Sequence, residues 1–266
     1  MRCISYGGGV QSTAMLVLAV QGVIDADVAV FANVGDDSEH PASLRFVREV
    51  AQPWAAKRGL EVVEAHPVRG GERATIWGEI MRDDSARDII PVYGWSGKPL
   101  SRSCTADFKI KTIGRELRAR GASKESPATV MIGISVDEIE RAGRGRDESW
   151  ERRVYPLLDL GLTRSDCEQV IRDAGLPVPP KSSCFFCPFH RPLVWAEMRR
   201  DEPVLFEQAV RLERRMNERN KLRGREPVFL TRFLKPLDEA VQEAQASLFD
   251  HDGPGESGCD SGYCWT

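Results

Sequence analysis

"MRCISYGGGVQSTAMLVLAV", Met1–Val20, decides how the rest of the chain is read. A strand-like run from Cys3 to Tyr6 breaks into Gly7, Gly8 and Gly9, and Ser12 and Thr13 then lead an apolar helix. Consecutive glycines let the backbone take positive φ and turn its N–H groups toward an anion. A helix starting near Gln11 adds unpaired donors and a partial positive charge. Phosphate suits such a turn. The stretch is not G-x-x-x-x-G-K-[ST], because no lysine precedes Ser12, and it is not G-x-G-x-x-G, because position 12 is not glycine. Taken alone, it serves equally as a tight strand-to-helix connection.

Outward from this turn the pattern repeats. "VAVFANVG" (Val28 to Gly35), "EVVEAHP" (Glu61 to Pro67) and "ATVMIGIS" (Ala128 to Ser135) are short β-branched or apolar runs that end in turn signals. Between them, Gln11 to Val20, Pro41 to Arg58 and Phe108 to Arg120 space apolar residues by three and four. Strand alternating with helix predicts an α/β fold, a doubly wound and mostly parallel sheet over residues 1–155. Ligands of such sheets sit beyond the carboxyl ends of the strands, where Gly7 to Thr13, Asn33 to Asp37 and Ser135 to Glu138 all fall. After Tyr155 the alternation stops. Residues 156–246 read as a helical region with a proline-rich loop, and the Gly-, Ser- and Asp-rich residues 247–266 read as a mobile tail.

The balance of charges narrows the function classes. The 266 residues carry a formal charge of -3, so the chain is not a wholly basic nucleic-acid binder. Between Arg199 and Lys235, however, eleven Lys or Arg stand against six Asp or Glu, either a solvated helix face or a patch for a phosphate backbone. No stretch is apolar for about 18 residues and the start lacks a secretory pattern, so a cytoplasmic location without membrane contact is expected.

Seven cysteines, an odd number, favour metal ligation or catalysis over disulfides in a reducing compartment. In "SSCFFCPFH" Cys184 and Cys187 stand two residues apart, so both thiolates can point into one metal site, with Pro188 stiffening the turn. This spacing alone allows zinc, an iron-sulfur cluster or a redox dithiol. A polyphosphate needs cations, which "SRSCTADFKIK" offers as Arg102, Lys109 and Lys111 beside Cys104; Arg141 follows the Asp137-Glu138 pair.

"SYGGGVQST" resembles the pyrophosphate loop of the PP-loop superfamily, usually S-G-G-x-D-S, with Gly8, Gly9 and Ser12 on the matching positions. "LSRSCTADFKIKTI" resembles the R-x-C-T-x-x-F-K segment of the phosphoadenosine-phosphosulfate (PAPS) reductase branch. "GISVDEIERA", "YPLLDLGLTRSDC" and "PPKSSCFFCPFH" follow in that branch's order, so the likeness spans roughly Met1 to Arg191.

This resemblance implies a HUP-like PP-loop fold that holds ATP with Mg²⁺ through Ser5, Gly7, Gly8, Gly9, Gln11, Ser12 and Thr13. It also implies adenine or ribose contacts near Asn33, and a phosphate-binding role for Lys109 on the family's F-K pair. Gln11 stands where the family usually has Asp, so Asp36, Asp37, Asp137 or Glu138 is expected to supply the missing carboxylate. Related reductases hold a [4Fe-4S] cluster by a Cys-Cys pair and a later C-x-x-C. Here Ser103 replaces one cysteine, which leaves Cys104, Cys184 and Cys187 as the implied metal ligands; zinc with His190 is the runner-up. The branch's reductases also use a C-terminal cysteine as nucleophile, so Cys259 and Cys264 are candidates, although the E-C-G-x-H setting is absent.

The activity implied is adenylation of a substrate oxygen with release of pyrophosphate, followed by sulfur insertion. A nucleotide substrate, tRNA or DNA as acceptor, a sulfur or electron donor protein and a homodimer are compatible with it. A PAPS or adenylyl-sulfate reductase forming sulfite is the alternative. A non-catalytic nucleotide-binding partner in a modification or defence system is a third reading.

Overall fold

The computed structural model describes residues 1–85, 87–100, 102–143 and 147–241. Five parallel strands form the central sheet: β1 (Arg2–Tyr6), β2 (Val28–Ala32), β3 (Glu61–Ala65), β6 (Ala128–Met131) and β7 (Glu151–Val154), in the order β3-β2-β1-β6-β7. Two further short strands, β4 (Val68–Arg69) and β5 (Glu72–Arg73), make a separate antiparallel hairpin. Cys3 pairs with Val28 on one side and Val130 on the other, so β1 lies at the centre of the sheet.

Both faces of this sheet are covered, which is why its inner strands are mostly apolar rather than alternating, β2 wholly so. Ile4, Tyr6, Ala29, Phe31 and Met131 point to one face. There they meet α1 (Val10–Val20), a helix run comprising α2 (Pro41–Arg45), a π-helical turn (Phe46–Ala51) and α3 (Gln52–Ala56), and the helices α6 (Pro156–Asp159) and α7 (Arg164–Asp173). Cys3, Val28, Val30, Ala32 and Val130 point to the other face, against Ile113 and Leu117 of α5 (Lys111–Ala119) and against Trp150. A π-helical stretch, Thr105–Ile110, leads into α5.

Local chemistry sets the ends of these helices. Pro53 cannot donate to a carbonyl one turn back, and the helix passes through the π turn just before it. Thr163 starts α7 with a capping box: its hydroxyl accepts from Asp166 N–H while the Asp166 carboxylate accepts from Thr163 N–H.

The chain divides into two compact units. The first comprises Met1–Ala74 and Thr105–Ser183, with the sheet and the helices just named. The second comprises Thr75–Cys104 and the described residues from Cys184 onward. It holds α4 (Ile76–Met81), α8 (Pro192–Asp201) and α9 (Pro203–Leu222). The helical region expected here contains a break between α8 and α9. The chain breaks at Glu202 (φ -133°, ψ 57°), because a residue preceding proline is pushed out of the helical region. In this unit Arg219, 3% exposed, donates to the carbonyl of Ile80 (2.7 Å) and to Asp88 (3.2 Å), tying α9 to α4 and the segment after it. No helix among the described residues is long and apolar enough to cross a membrane.

Candidate functional site

In the sheet order, β1 continues toward β2 and β3, whereas β6 sits on its other side and continues toward β7. The connections after β1 and β6 therefore leave in opposite directions and open the crevice where such sheets bind ligands. The three glycines fill the β1 side of it.

Gly8 takes φ +74°, and a Cβ there would lie 2.9 Å from Cγ2 of Val47. Only glycine meets both demands. Gly9 caps α1 in extended conformation; no side chain caps this helix, and its first turn holds no acidic residue. Ser12 closes the turn on itself, its Oγ accepting from Gly7 N–H (3.2 Å) and donating to the Gly9 carbonyl (3.1 Å). Thr13 Oγ1 lies 3.2 Å from the Tyr6 hydroxyl. The result is a short backbone loop running into an uncapped helix start, an arrangement whose partial positive charge suits an anion.

Other segments of the same unit meet this turn. At Gly133, after β6, an added Cβ would fall 3.1 Å from Ser12 N and 3.2 Å from Gln11 Cβ, so a larger residue would press on the first turn of α1. Arg164, at the start of α7, donates from Nη1 to Gln11 Oε1 (3.4 Å) and from its backbone N–H to Asp137 (2.5 Å). Ser182 donates its hydroxyl to the Gly7 carbonyl. Its neighbours hold that segment in place: Ser43 Oγ donates to Lys181 O (3.0 Å), and His40 N–H donates to Ser183 O (3.1 Å).

The expected carboxylates lie along this edge, and most carry defined partners. Asn33, fully buried, donates from Nδ2 to Asp36 (2.6 Å) and Glu64 (2.7 Å) and accepts from Gly35 N–H (2.8 Å). Arg48 binds both acids, at 2.7 Å to Asp36 and 2.6 Å to Glu64, and its hydrogen bonds hold both carboxyls below the usual range. Glu138 is paired with Arg141, which is 1% exposed, and burial raises the Glu138 carboxyl while the guanidinium opposes the rise. Asp137 accepts from Arg164 N–H, as above, and Asp37 accepts from the Ser38 hydroxyl (2.9 Å). Glu39 is 2% exposed with Oε1 lacking a hydrogen-bond partner. Burial pushes its carboxyl up, and the charge of Lys109 is the largest influence against that rise. Ser5 lies within β1, opposite Val30.

The second unit carries the thiols. Cys184 and Cys187 bracket a turn closed by Cys187 N–H to Cys184 O (3.1 Å), and His190 N–H continues it to Cys187 O (3.0 Å). Both cysteines are partly exposed, while Phe185 and Phe186 between them are buried, edge to face at 4.9 Å, with Trp77 against each at 5.9 Å. His190 packs edge-on against Trp195, and its Nε2–H points to the carbonyls of Cys184 (3.0 Å) and Phe185 (3.1 Å). Its role is thus to brace the turn.

Cys104 is anchored through its N–H to Ile89 O (2.9 Å), and the Arg102 guanidinium lies 5.9 Å from the Phe189 ring centre. Among the described residues no group of three or more His, Cys, Asp or Glu side chains is arranged to hold a metal ion. Cys184 and Cys187 thus form a two-thiol turn. Cys259, Cys264 and residues 247–266 lie outside the described residues.

The first unit thus gathers Gly7, Gly8, Gly9, Gln11, Ser12, Thr13, Asn33, Asp36, Asp137, Glu138 and Arg141 along the carboxyl edge of the sheet, and the second carries Arg102, Cys104, Cys184 and Cys187. Glu39, Arg48, Gly133, Arg164 and Ser182 were not singled out in the sequence. No family model matches the chain.

Proposed function

We propose that this chain is a PP-loop enzyme of the ATP pyrophosphatase type, related to the PAPS reductases, that activates an oxygen of its substrate and replaces it with sulfur. One observation carries the reading: the glycine turn at the sheet's switch point, stapled by Ser12 and running into a helix start with no capping side chain and no acid. Nitrogen–hydrogen donors presented this way bind phosphate oxygens without needing a lysine.

In this reading the substrate oxygen attacks the α-phosphorus of ATP. The bond to the β-phosphate breaks, and pyrophosphate leaves into the Gly7–Gly9 turn with both electrons of that bond. A sulfur nucleophile then attacks the activated carbon or phosphorus and expels AMP, a far better leaving group than the original oxygen. Lys109, whose charge acts on the buried Glu39, balances the polyphosphate. Arg48 and Arg141 already engage Asp36 and Glu138, so magnesium bound with ATP would rely chiefly on phosphate oxygens.

Cys184 and Cys187 are the residues that would hold an iron-sulfur cluster, with Cys104 as third ligand, and the cluster would present or polarise sulfur. Thiolates of this kind fit an iron-sulfur cluster, and no step above passes through it.

The test is anaerobic turnover with ATP and magnesium in parallel with PAPS and adenylyl sulfate, following pyrophosphate, AMP and sulfite. Pyrophosphate and AMP formed from ATP in the presence of acceptor and sulfide are expected. Sulfite formed from a sulfonucleotide without pyrophosphate would overturn the proposal in favour of a reductase. ATP binding with no turnover would favour a non-catalytic partner.

A further inference from the structure

Gln11 stands in the first turn of α1, one residue before the Ser12 that closes the glycine turn, and it is 8% exposed. Its Cβ faces the segment after β6, since a Cβ added at Gly133 would fall 3.2 Å from it. The side chain therefore leaves α1 on the β6 side of the turn, where the connections after β1 and β6 part. Its amide oxygen accepts from Arg164 Nη1 (3.4 Å), while its amide nitrogen makes no hydrogen bond to the described residues. Buried amides normally have both ends paired, so an open Nε2 donor at this place points to a ligand that accepts.

Arg164 reaches this amide from a rigid support. It is the first residue of α7, and its backbone N–H donates to Asp137 (2.5 Å), whose carboxylate also accepts from the Ser135 hydroxyl (3.4 Å). Cys167 and Ile171 of the same helix are fully buried in the cluster that holds Ala14, Met15 and Leu18 of α1. The start of α7 is thus fixed against α1 by packing as well as by the Asp137 bond. The guanidinium itself is little committed. It makes the long bond to Gln11 and an ion pair at 3.8 Å with Glu168, an acid that Arg172 holds more closely at 2.8 Å. Glu138, another acid within reach of its charge, is paired with Arg141. Several of the five guanidinium donors therefore remain for a ligand, and 37% of the side chain is exposed.

An amide donor beside a guanidinium is the electrostatic opposite of a carboxylate beside a divalent ion. It attracts an anion and repels a metal ion. We propose that Gln11 and Arg164 together bind the polyphosphate of the nucleotide directly, the guanidinium taking at this turn the place of a metal ion, so that pyrophosphate is held there without magnesium. Asp137 is then the positioning residue for Arg164. A planar carboxylate would satisfy the guanidinium alone, whereas a multiply charged phosphate also uses the backbone donors of the glycine turn and of the start of α1. That the ligand belongs to a nucleotide rests on the function proposed above; the anion contact stands on the residues just named.

The experiment is calorimetric titration of the full chain with inorganic pyrophosphate in EDTA, and separately with ATP and magnesium. Wild-type protein should bind pyrophosphate without metal. Arg164→Gln should weaken that binding roughly 10- to 100-fold, the loss of one charge-assisted contact, and Arg164→Lys, which keeps the charge but not the planar fork, should fall between the two. Gln11→Asp should bind about 10-fold more weakly in EDTA and regain affinity with magnesium, because an acid beside the anion needs a metal ion between them. Arg172→Gln, on the exposed side of the same helix, should bind as wild type does. Arg164→Gln should also unfold at the wild-type urea concentration, which separates a ligand contact from a structural one; if it does not fold, Arg164→Lys and Gln11→Asp still decide. Pyrophosphate binding that requires magnesium, or that is unchanged in the Arg164 and Gln11 variants, would overturn the inference and leave ATP binding at the turn standing. Wild-type protein that binds neither ATP nor pyrophosphate would overturn both. Metal-free pyrophosphate binding that depends on Arg164, in a protein unable to turn over ATP, would support the contact and count against the enzymatic reading alone.

Discussion

Gly8→Ala tests whether the turn after β1 is as tightly constrained as its geometry states. Two penalties act at this position. A residue with a Cβ at φ +74° enters the left-handed region, at roughly 1–2 kcal/mol. The new methyl also lies 2.9 Å from Cγ2 of Val47, a fully buried side chain, adding roughly 1–3 kcal/mol of overpacking. Gly22 separates the two contributions. It has nearly the same φ, +73°, with nothing within 4 Å of an added Cβ, so Gly22→Ala carries the conformational penalty alone. The small gain from a stiffer unfolded chain is common to both and cancels in the difference. Urea unfolding with linear extrapolation should therefore place Gly8→Ala below Gly22→Ala by about 1–3 kcal/mol. The double variant Gly8→Ala/Val47→Ala should recover most of that difference as coupling. Equal costs at the two glycines, or absent coupling with Val47, would refute the close approach on which the loop's shape depends.

Three further outcomes follow from buried groups and caps. Burial pushes the Glu213 carboxyl from its ordinary 4.5 up to about 7 against the help of Leu230 and Leu237 N–H, with Asp238 adding to the rise and Arg214 opposing it. The folded chain then keeps a proton that the unfolded chain has released. Glu213 supports folding fully below about pH 4.5, and roughly 3 kcal/mol of that support is lost as pH rises to about 7. Glu213→Gln should flatten this part of the stability profile in urea melts and lower stability in general by turning an NH₂ toward one backbone donor; an unchanged slope would contradict the assignment. Thr163→Ala should cost about 1 kcal/mol by removing half of the α7 capping box, with Asp166→Ala coupled to it in a double-mutant cycle. Cys3 and Cys167 are fully buried, and burial pushes both thiols up to about 12. Iodoacetamide near pH 8 should leave them unmodified in the native protein and label them in urea, as read by peptide mass spectrometry.

How far the sequence could be read depended on which residues carry the signal. β1, β2 and β6 were legible because inner strands covered on both faces are mostly apolar, and edge strand β3 because Val62 and Val63 stand between turn signals. β7 was missed because it is an edge strand spelled Glu-Arg-Arg-Val, whose Arg153 is held by Asp147 (2.6 Å) rather than by a core. The break between α8 and α9 had a local signal in Pro203, and the β4–β5 hairpin had one in Gly70-Gly71, both overridden by the wider pattern. At the candidate site the glycine turn announced itself, since its residues are contiguous. Arg164 and Ser182 did not: they reach Gln11 and Gly7 from 153 and 175 residues away, a proximity that exists only after the sheet and α7 are in place. His190 was expected to cap or pack the loop ahead of ligating zinc, and it braces the Cys184 carbonyl, although its partner Trp195 could not be read from the sequence.

The central claim, that the turn from Gly7 to Ser12 receives the phosphates of ATP, is tested most directly by calorimetric titration of the intact chain with a non-hydrolysable α,β-methylene ATP analogue and magnesium. Wild-type protein should bind one equivalent, Ser12→Ala should bind more weakly because Gly7 N–H and the Gly9 carbonyl lose their shared partner, and Gly22→Ala should bind as wild type does. Undiminished binding by Ser12→Ala and Gly8→Ala, or no binding by the wild-type chain, would contradict it.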